Sequence, residues 1–219
     1  MSTLPPTRWE QAGPAAAQGF GRKFGELVAS GQDVDGEARL ADTLLPRGAR
    51  VLDVGAGMGR VTAALSVRGH TVVGIEPDLA LVEQARATYP GIDVLHSDVL
   101  GLDDALLGDR PAEYDLVVVV GNVMVFLAEG TERRVLSLLR SRLAPGGRVL
   151  LGFHLVGAPA HARCYPAEEF VADASASGLR VDARFGSYEL HPATEEYAVW
   201  VLSASDAGPP PTDFGHAFS

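Results

Sequence analysis

Asp53, Glu76 and Asp98 each close or follow a short apolar run, and Asp53 is trailed by glycines at alternate positions, Gly55, Gly57 and Gly59. Glycines at a strand end let the backbone turn sharply and let a ligand approach with no Cβ in the way. A helix-like pattern begins directly behind them, and a helix N-terminus offers free N–H groups. The turn is not a phosphate loop, because no Lys-Ser or Lys-Thr follows the glycines. It is not a dinucleotide turn either, since the sixth position counted from Gly55 is Arg60, where Gly-x-Gly-x-x-Gly requires glycine. A carboxylate at the start of the turn, Asp53, favours an ammonium or hydroxyl partner and repels a pyrophosphate. Glu76 stands 23 positions further on, where an acid can accept both hydroxyls of a ribose. Asp98 can accept from an exocyclic amine such as that of adenine. One acid after one strand is most often a helix cap. Three of them, in register with the glycine turn, converge on one crevice.

That convergence needs a particular scaffold. From residue 50 onward short β-branched runs alternate with helical runs: strands over 50–54, 71–76, 92–96, 114–120 and 148–154, and helices over 59–68, 78–88 and 131–143. The run Val117-Val-Val-Val120 is continuously apolar, as in a strand buried on both faces. Such alternation implies a parallel sheet with helices on both faces, an α/β doubly wound fold whose ligands bind at the strands' C-terminal edge. A helix over 166–177 and two β-like runs, 179–190 and 197–203, complete the pattern. The short loop between those runs makes them a hairpin, so one of the two opposes the rest. Before the first strand, residues 1–12 read as an arm, with helices expected over 15–29 and 36–45 that could cover the ligand site. The chain thus divides into an arm with cover helices (1–46), a ligand-binding domain (47–205) and a proline-rich tail (206–219).

Composition narrows the function classes. The 219 residues are 47% hydrophobic, enough for one sizeable core. A net charge of −10 with no Lys/Arg cluster argues against nucleic acid as partner. The single cysteine, Cys164, fits a reducing compartment, and no charged-then-apolar leader opens the sequence. The longest apolar run, 116–128, is too short and too interrupted to span a bilayer. A cytoplasmic protein with no membrane contact is expected, as monomer or homodimer.

Five segments, taken together, resemble the successive motifs of class I S-adenosylmethionine-dependent methyltransferases. They are Val51 to Arg60, Gly74-Ile-Glu-Pro-Asp78, Ser97-Asp98-Val99, Tyr114-Asp-Leu-Val-Val118 and Leu143-Ala-Pro-Gly-Gly-Arg-Val149. The resemblance runs from about residue 50 to 203 and implies a Rossmann-like, seven-stranded, mostly parallel sheet of order 3-2-1-4-5-7-6 with strand seven antiparallel. It implies S-adenosylmethionine as cofactor. Asp53 and the turn Gly55, Ala56, Gly57 and Gly59 would lie beside the methionine part, and Glu76, with Pro77 behind it, at the ribose. Asp98 and Val99 would hold the adenine, with Leu79 on its face, and Gly121 and Asn122 would lie near the transferable methyl.

Methyl transfer needs orientation and exclusion of water, and a hydroxyl acceptor also needs a base. His154, at the end of the fifth strand, is the catalytic candidate. His191 would reach the same edge, and His161, Arg163 and Tyr165 could shape a pocket; the alternative for each is an ordinary loop residue. The Asn-Pro-Pro-Tyr motif of amide- and nucleobase-nitrogen methyltransferases is replaced by Asn122-Val-Met-Val125. The acid and Asp-Asn set of metal-dependent catechol-type relatives has no counterpart, so no metal is expected. A small-molecule acceptor methylated at oxygen leads, with nitrogen second. The rivals are a non-catalytic module that binds S-adenosylmethionine or S-adenosylhomocysteine, a transferase of an aminopropyl group, and a dehydrogenase.

Overall fold

The computed structural model describes residues 4–13, 30 and 33–206; the helix expected over 15–29 and the tail beyond Asp206 lie outside them. A seven-stranded sheet runs through the molecule in the order β3-β2-β1-β4-β5-β7-β6. Its strands are β1 (Arg50–Val54), β2 (Thr71–Glu76), β3 (Val94–His96), β4 (Tyr114–Val119), β5 (Leu143–His154), β6 (Leu179–Phe185) and β7 (Tyr197–Ala204). β7 pairs antiparallel with both β5 and β6, and every other pairing is parallel. The order and the reversed seventh strand are those the motifs implied.

Eight helices accompany the strands among the described residues: α1 (Arg8–Ala12), α2 (Gly36–Thr43), α3 (Arg60–Val67), α4 (Leu79–Thr88), α5 (Asp104–Leu107), α6 (Val123–Phe126), α7 (Glu132–Ser141) and α8 (Ala167–Ala176). β4 shows why the sheet is buried on both sides. Its side chains alternate across the sheet, so Val117 and Val119 enter one core with α7 and α8 while Leu116 and Val118 enter the other with α2 and α3. At the β1–β4 pair the Arg50 guanidinium forks onto the Asp115 carboxylate at 2.8 and 3.2 Å, and the Arg50 amide donates to the same group.

Several boundaries differ from the periodicity. β5 begins at Leu143, because Pro145-Gly146-Gly147 forms an irregular start to the strand and not a helix stop followed by a turn. β6 ends at Phe185, five residues early. A Cβ at Gly186 would lie 2.4 Å from the Pro192 carbonyl oxygen, so the chain folds back on itself there. Residues 8–12, read as arm, are helical. Thr7 Oγ1 accepts from the Glu10 amide while the Glu10 carboxylate accepts from the Thr7 amide, a reciprocal cap present in the sequence as Thr-x-x-Glu.

Candidate active site

The C-terminal ends of β1, β2, β4 and β5 open onto a cavity of about 820 Å³. Its floor is the glycine turn. Gly55, Gly57 and Gly59 all hold positive φ, at 71°, 54° and 76°. The Gly55 and Ala56 amides both donate to the Ile75 carbonyl, which ties the turn to β2. A Cβ on Gly55 would sit 2.3 Å from Val123 Cγ2, and one on Gly59 would sit 2.5 Å from Ile92 Cδ1. Gly55→Ala is therefore strained twice, by φ and by contact. About 1–2 kcal/mol of stability should be lost to φ alone, lowering Tm by about 2–4 °C per kcal/mol, and S-adenosylhomocysteine binding should weaken with it. A melting curve matching the parent's would contradict the close approach of Val123.

Glu76 closes the turn from the side. Its Oε2 accepts from the Gly57 amide and its Oε1 from the Asp78 amide, both at 2.9 Å, with 4% of the residue exposed. Burial pushes its carboxyl up to about 7. Asp53 is equally enclosed, accepts from Thr62 Oγ1 at 2.7 Å, and is pushed up to about 6 by the same cause. Asp98 lines the cavity and also caps the short 3-10 turn Val99–Gly101, accepting from the Leu100 amide at 2.7 Å. Desolvation raises its carboxyl too. Each carboxylate oxygen keeps a lone pair beyond the bond it makes to the chain.

Of the residues expected around the cofactor, Asp53, Gly55, Ala56, Gly57, Glu76, Pro77, Asp98, Val99, Gly121 and Asn122 line the cavity. Gly59 lies just beneath it, packed on α4. Leu79 does not line it and is 48% exposed. Two residues along a helix turn through about 200°, so Leu81 faces inward with Met58 and Trp9 where Leu79 faces solvent. Leu79→Ala should change S-adenosylhomocysteine affinity by less than about 0.5 kcal/mol; a larger loss in a calorimetric titration would restore it to the site.

His154 also lines the cavity, at the end of β5. Asn122 Oδ1 lies 2.9 Å from the His154 amide nitrogen and 3.0 Å from its ring Nδ1. The β5–β7 register places Tyr197 opposite His154, its ring edge-on at 4.8 Å. The Tyr197 hydroxyl meets that of Tyr188 at 2.8 Å, and burial pushes Tyr197 up to about 12 and Tyr188 well above its ordinary range. Gly152 makes room for this pair, since a Cβ there would lie 1.9 Å from the Tyr188 oxygen.

The remaining loop candidates separate. His161 lines the cavity beside Pro159 and Ala160. Arg163 turns away to pair with Glu132 and Glu169 at 2.7 and 2.6 Å. Tyr165 is wholly buried, stacks on Phe153 and donates to Asp173 at 2.8 Å, so it belongs to the core. His191 is exposed and its Nδ1 lies 2.8 Å from Ser187 Oγ. Trp9, Tyr197 and the Glu37–Arg60 ion pair line the cavity without having been singled out as ligand contacts. The Thr7–Glu10 cap was the readable clue to the first of these; the strand register that supplies Tyr197 left none. Among the described residues no group of three His, Cys, Asp or Glu could hold a metal ion.

A family model described as a methyltransferase domain matches residues 51–147, from the start of β1 into β5. A TehB-like SAM-dependent methyltransferase from Corynebacterium glutamicum is 31% identical in sequence. The match covers 88% of this chain and all of that one, with a TM-score of 0.76. This chain belongs to the class I S-adenosylmethionine-dependent methyltransferases. As a member of that class it is also 31% identical, over 158 residues, to ribosomal RNA small subunit methyltransferase C of Chromohalobacter salexigens. That match covers 66% of this chain and 43% of the relative, and the chain spans under half the length of the curated relatives it matches. The CcbJ methyltransferase from Streptomyces caelestis shares the fold, with a TM-score of 0.68 at 19% identity.

The methyltransferase cavity suits S-adenosylmethionine on its own geometry. Around the glycine turn its polar lining is the carboxyl groups of Asp53, Glu76 and Asp98, and Arg60 beside the turn is engaged by Glu37 at 2.8 Å. That set accepts from hydroxyls and ammonium groups and offers a cation no repulsion. Met58, Leu81, Val99 and Trp9 supply apolar wall for an adenine ring.

Proposed function

We propose that this chain methylates a small-molecule acceptor at oxygen, with His154 as general base. The observation that carries the reading is His154 standing in the same cavity as the glycine turn and its three acids. When bound, S-adenosylmethionine supplies a sulfonium methyl: the acceptor's lone pair forms the new bond, the C–S pair stays on sulfur, and the acceptor's proton must go elsewhere. His154 is placed to take that proton. In this reading Glu76 accepts from the ribose hydroxyls, Asp98 from the adenine amine, and Asp53 faces the amino-acid end. Gly121 and Asn122 border the space where the methyl is delivered.

A small acceptor is supported by the walls. Trp9 and Ala12 of α1, with its cap Thr7, line the cavity, as do Pro159 to His161. Trp9 Nε1 donates to Asp78 at 3.3 Å while its ring meets Phe126 edge-on at 5.4 Å, and Arg8 donates to the Leu127 carbonyl at 2.7 Å. We read α1 as a cover fastened on both sides, which leaves little room for a folded polymer. The charge balance, 28 acids against 18 basic residues, weighs the same way. Methyl-labelled S-adenosylmethionine offered with a cell extract, later separated into ultrafiltrate, RNA and protein, tests this. Label in the ultrafiltrate, released as an O-methyl compound, is expected. Label in ribosomal RNA would overturn the acceptor class, and tight cofactor binding with no transfer would favour the binding module.

A further inference from the structure

We infer that Asn122 is the positioning residue for His154, holding its ring as the Nδ1–H tautomer so that Nε2 presents a lone pair to the cavity. The inference deepens the proposed function and rests on His154 as its base. Two contacts decide the tautomer. The backbone N–H of His154 can only donate, so the Asn122 atom 2.9 Å from it must be the carbonyl oxygen and not the amide nitrogen. The same oxygen lies 3.0 Å from ring Nδ1. An oxygen with no proton can meet Nδ1 only if Nδ1 carries one. In the neutral ring the other nitrogen is then an acceptor. Among the described residues Nε2 has no hydrogen-bond partner of its own.

Asn122 is itself built to be held still. It sits in the left-handed region, φ 75°, which asparagine tolerates far better than most residues. Its amide donates to the Gly152 carbonyl at 3.1 Å, which locks the β4–α6 turn against β5 two residues before His154. The Tyr197 ring edge-on to the imidazole restrains the ring from another side. The Gly121-Asn122 turn therefore has a role beyond bordering the cofactor.

A consequence for substrate class follows. A ring that presents a lone pair accepts a proton and offers none, so it serves an acceptor that arrives protonated: a hydroxyl first, a thiol or ammonium equally in principle. An acceptor that is already an anion would gain nothing from this ring and would find no donor in it. In the transfer the O–H bond breaks, its proton passes to Nε2, and the pair left on oxygen becomes the acceptor's nucleophile. The imidazolium so formed keeps its Nδ1–H bond to Asn122 and later returns the proton to solvent.

Nitrogen-15 spectra of the histidine rings test this without any acceptor, on the full chain in mildly alkaline buffer, alone and with S-adenosylhomocysteine. His154 is assigned by its loss in His154→Ala. The parent should show a proton-bearing Nδ1 and a bare Nε2. Asn122→Gly keeps the φ angle and removes the amide, and should lose that preference, moving toward the Nε2–H form. Asn122→Asp keeps an acceptor at the same place and should restore Nδ1–H. An Nε2–H ring in the parent, or an unchanged ring in Asn122→Gly, overturns the inference. Full turnover by His154→Ala would instead overturn the role of His154 as base while leaving the tautomer measurement intact, so the two failures are distinguishable.

Discussion

Glu76→Ala should weaken S-adenosylhomocysteine binding by about 10- to 150-fold, which is about 1.5–3 kcal/mol, the range for losing hydrogen bonds to a charged group. The residue is buried, latches the Gly57 amide, and retains lone pairs for a ribose. Its removal therefore loosens the turn and deletes an acceptor at once. Calorimetry reads the effect, and unchanged affinity would remove Glu76 from the site. Its carboxyl also gives a pH signature. Burial lifts it from its ordinary 4.5 to about 7, so between those values the folded chain holds a proton that the unfolded chain has released. Stability must then fall as pH rises through that window, and Asp53, lifted to about 6, adds to the slope. Hydroxyl donors prefer the ionised form, so cofactor binding releases the proton and affinity should rise about tenfold from about pH 6 to about pH 8. Glu76→Gln should flatten the affinity dependence and reduce the stability slope to the part that Asp53 supplies. A parent whose affinity is level across that range would show that the bound state does not need the carboxylate.

His154→Ala should lower kcat by about 10²–10⁴, the usual contribution of a positioned base. The affinity for S-adenosylhomocysteine should stay within about twofold, because His154 ends β5 whereas Glu76 and Asp98, the proposed ribose and adenine contacts, end β2 and follow β3. The assay uses whichever fraction of the extract takes up label. Turnover equal to the parent's removes His154 from the chemistry. A matched fall in cofactor affinity would instead make it a wall of the cofactor pocket.

The sheet was legible because each strand carries its own evidence. β4 alternates its apolar residues onto two cores, so both faces of the run had to be apolar, and such a run marks a central strand wherever it occurs. The glycine turn was legible for a similar reason, since positive φ and a crowded Cβ position leave glycine as the residue that fits. Strand ends blurred where distant contacts decide them. The early end of β6 follows from Gly186 packing against Pro192, and the irregular start of β5 follows from its pairing with β4. A motif fixes a position along the chain, whereas the helix phase decides which way the side chain points, and that phase leaves Leu79 outside the cavity lining. Tyr165 and Arg163 looked like pocket residues by their place in a loop, yet both are claimed by partners on α7 and α8.

By itself the sequence determined the α/β sheet, the turn after β1 and the three acids at the strand ends, because each depends on local backbone geometry and on residue type. Those motifs also pointed to the methyl donor, S-adenosylmethionine. Only the tertiary structure brought Asn122 within 3.0 Å of the His154 ring and set Tyr197 opposite it across antiparallel strands. It alone laid α1 along the cavity wall, with Trp9 reaching Asp78 across 69 positions of sequence. Those contacts join segments far apart in the chain, and no local propensity encodes which of them meet.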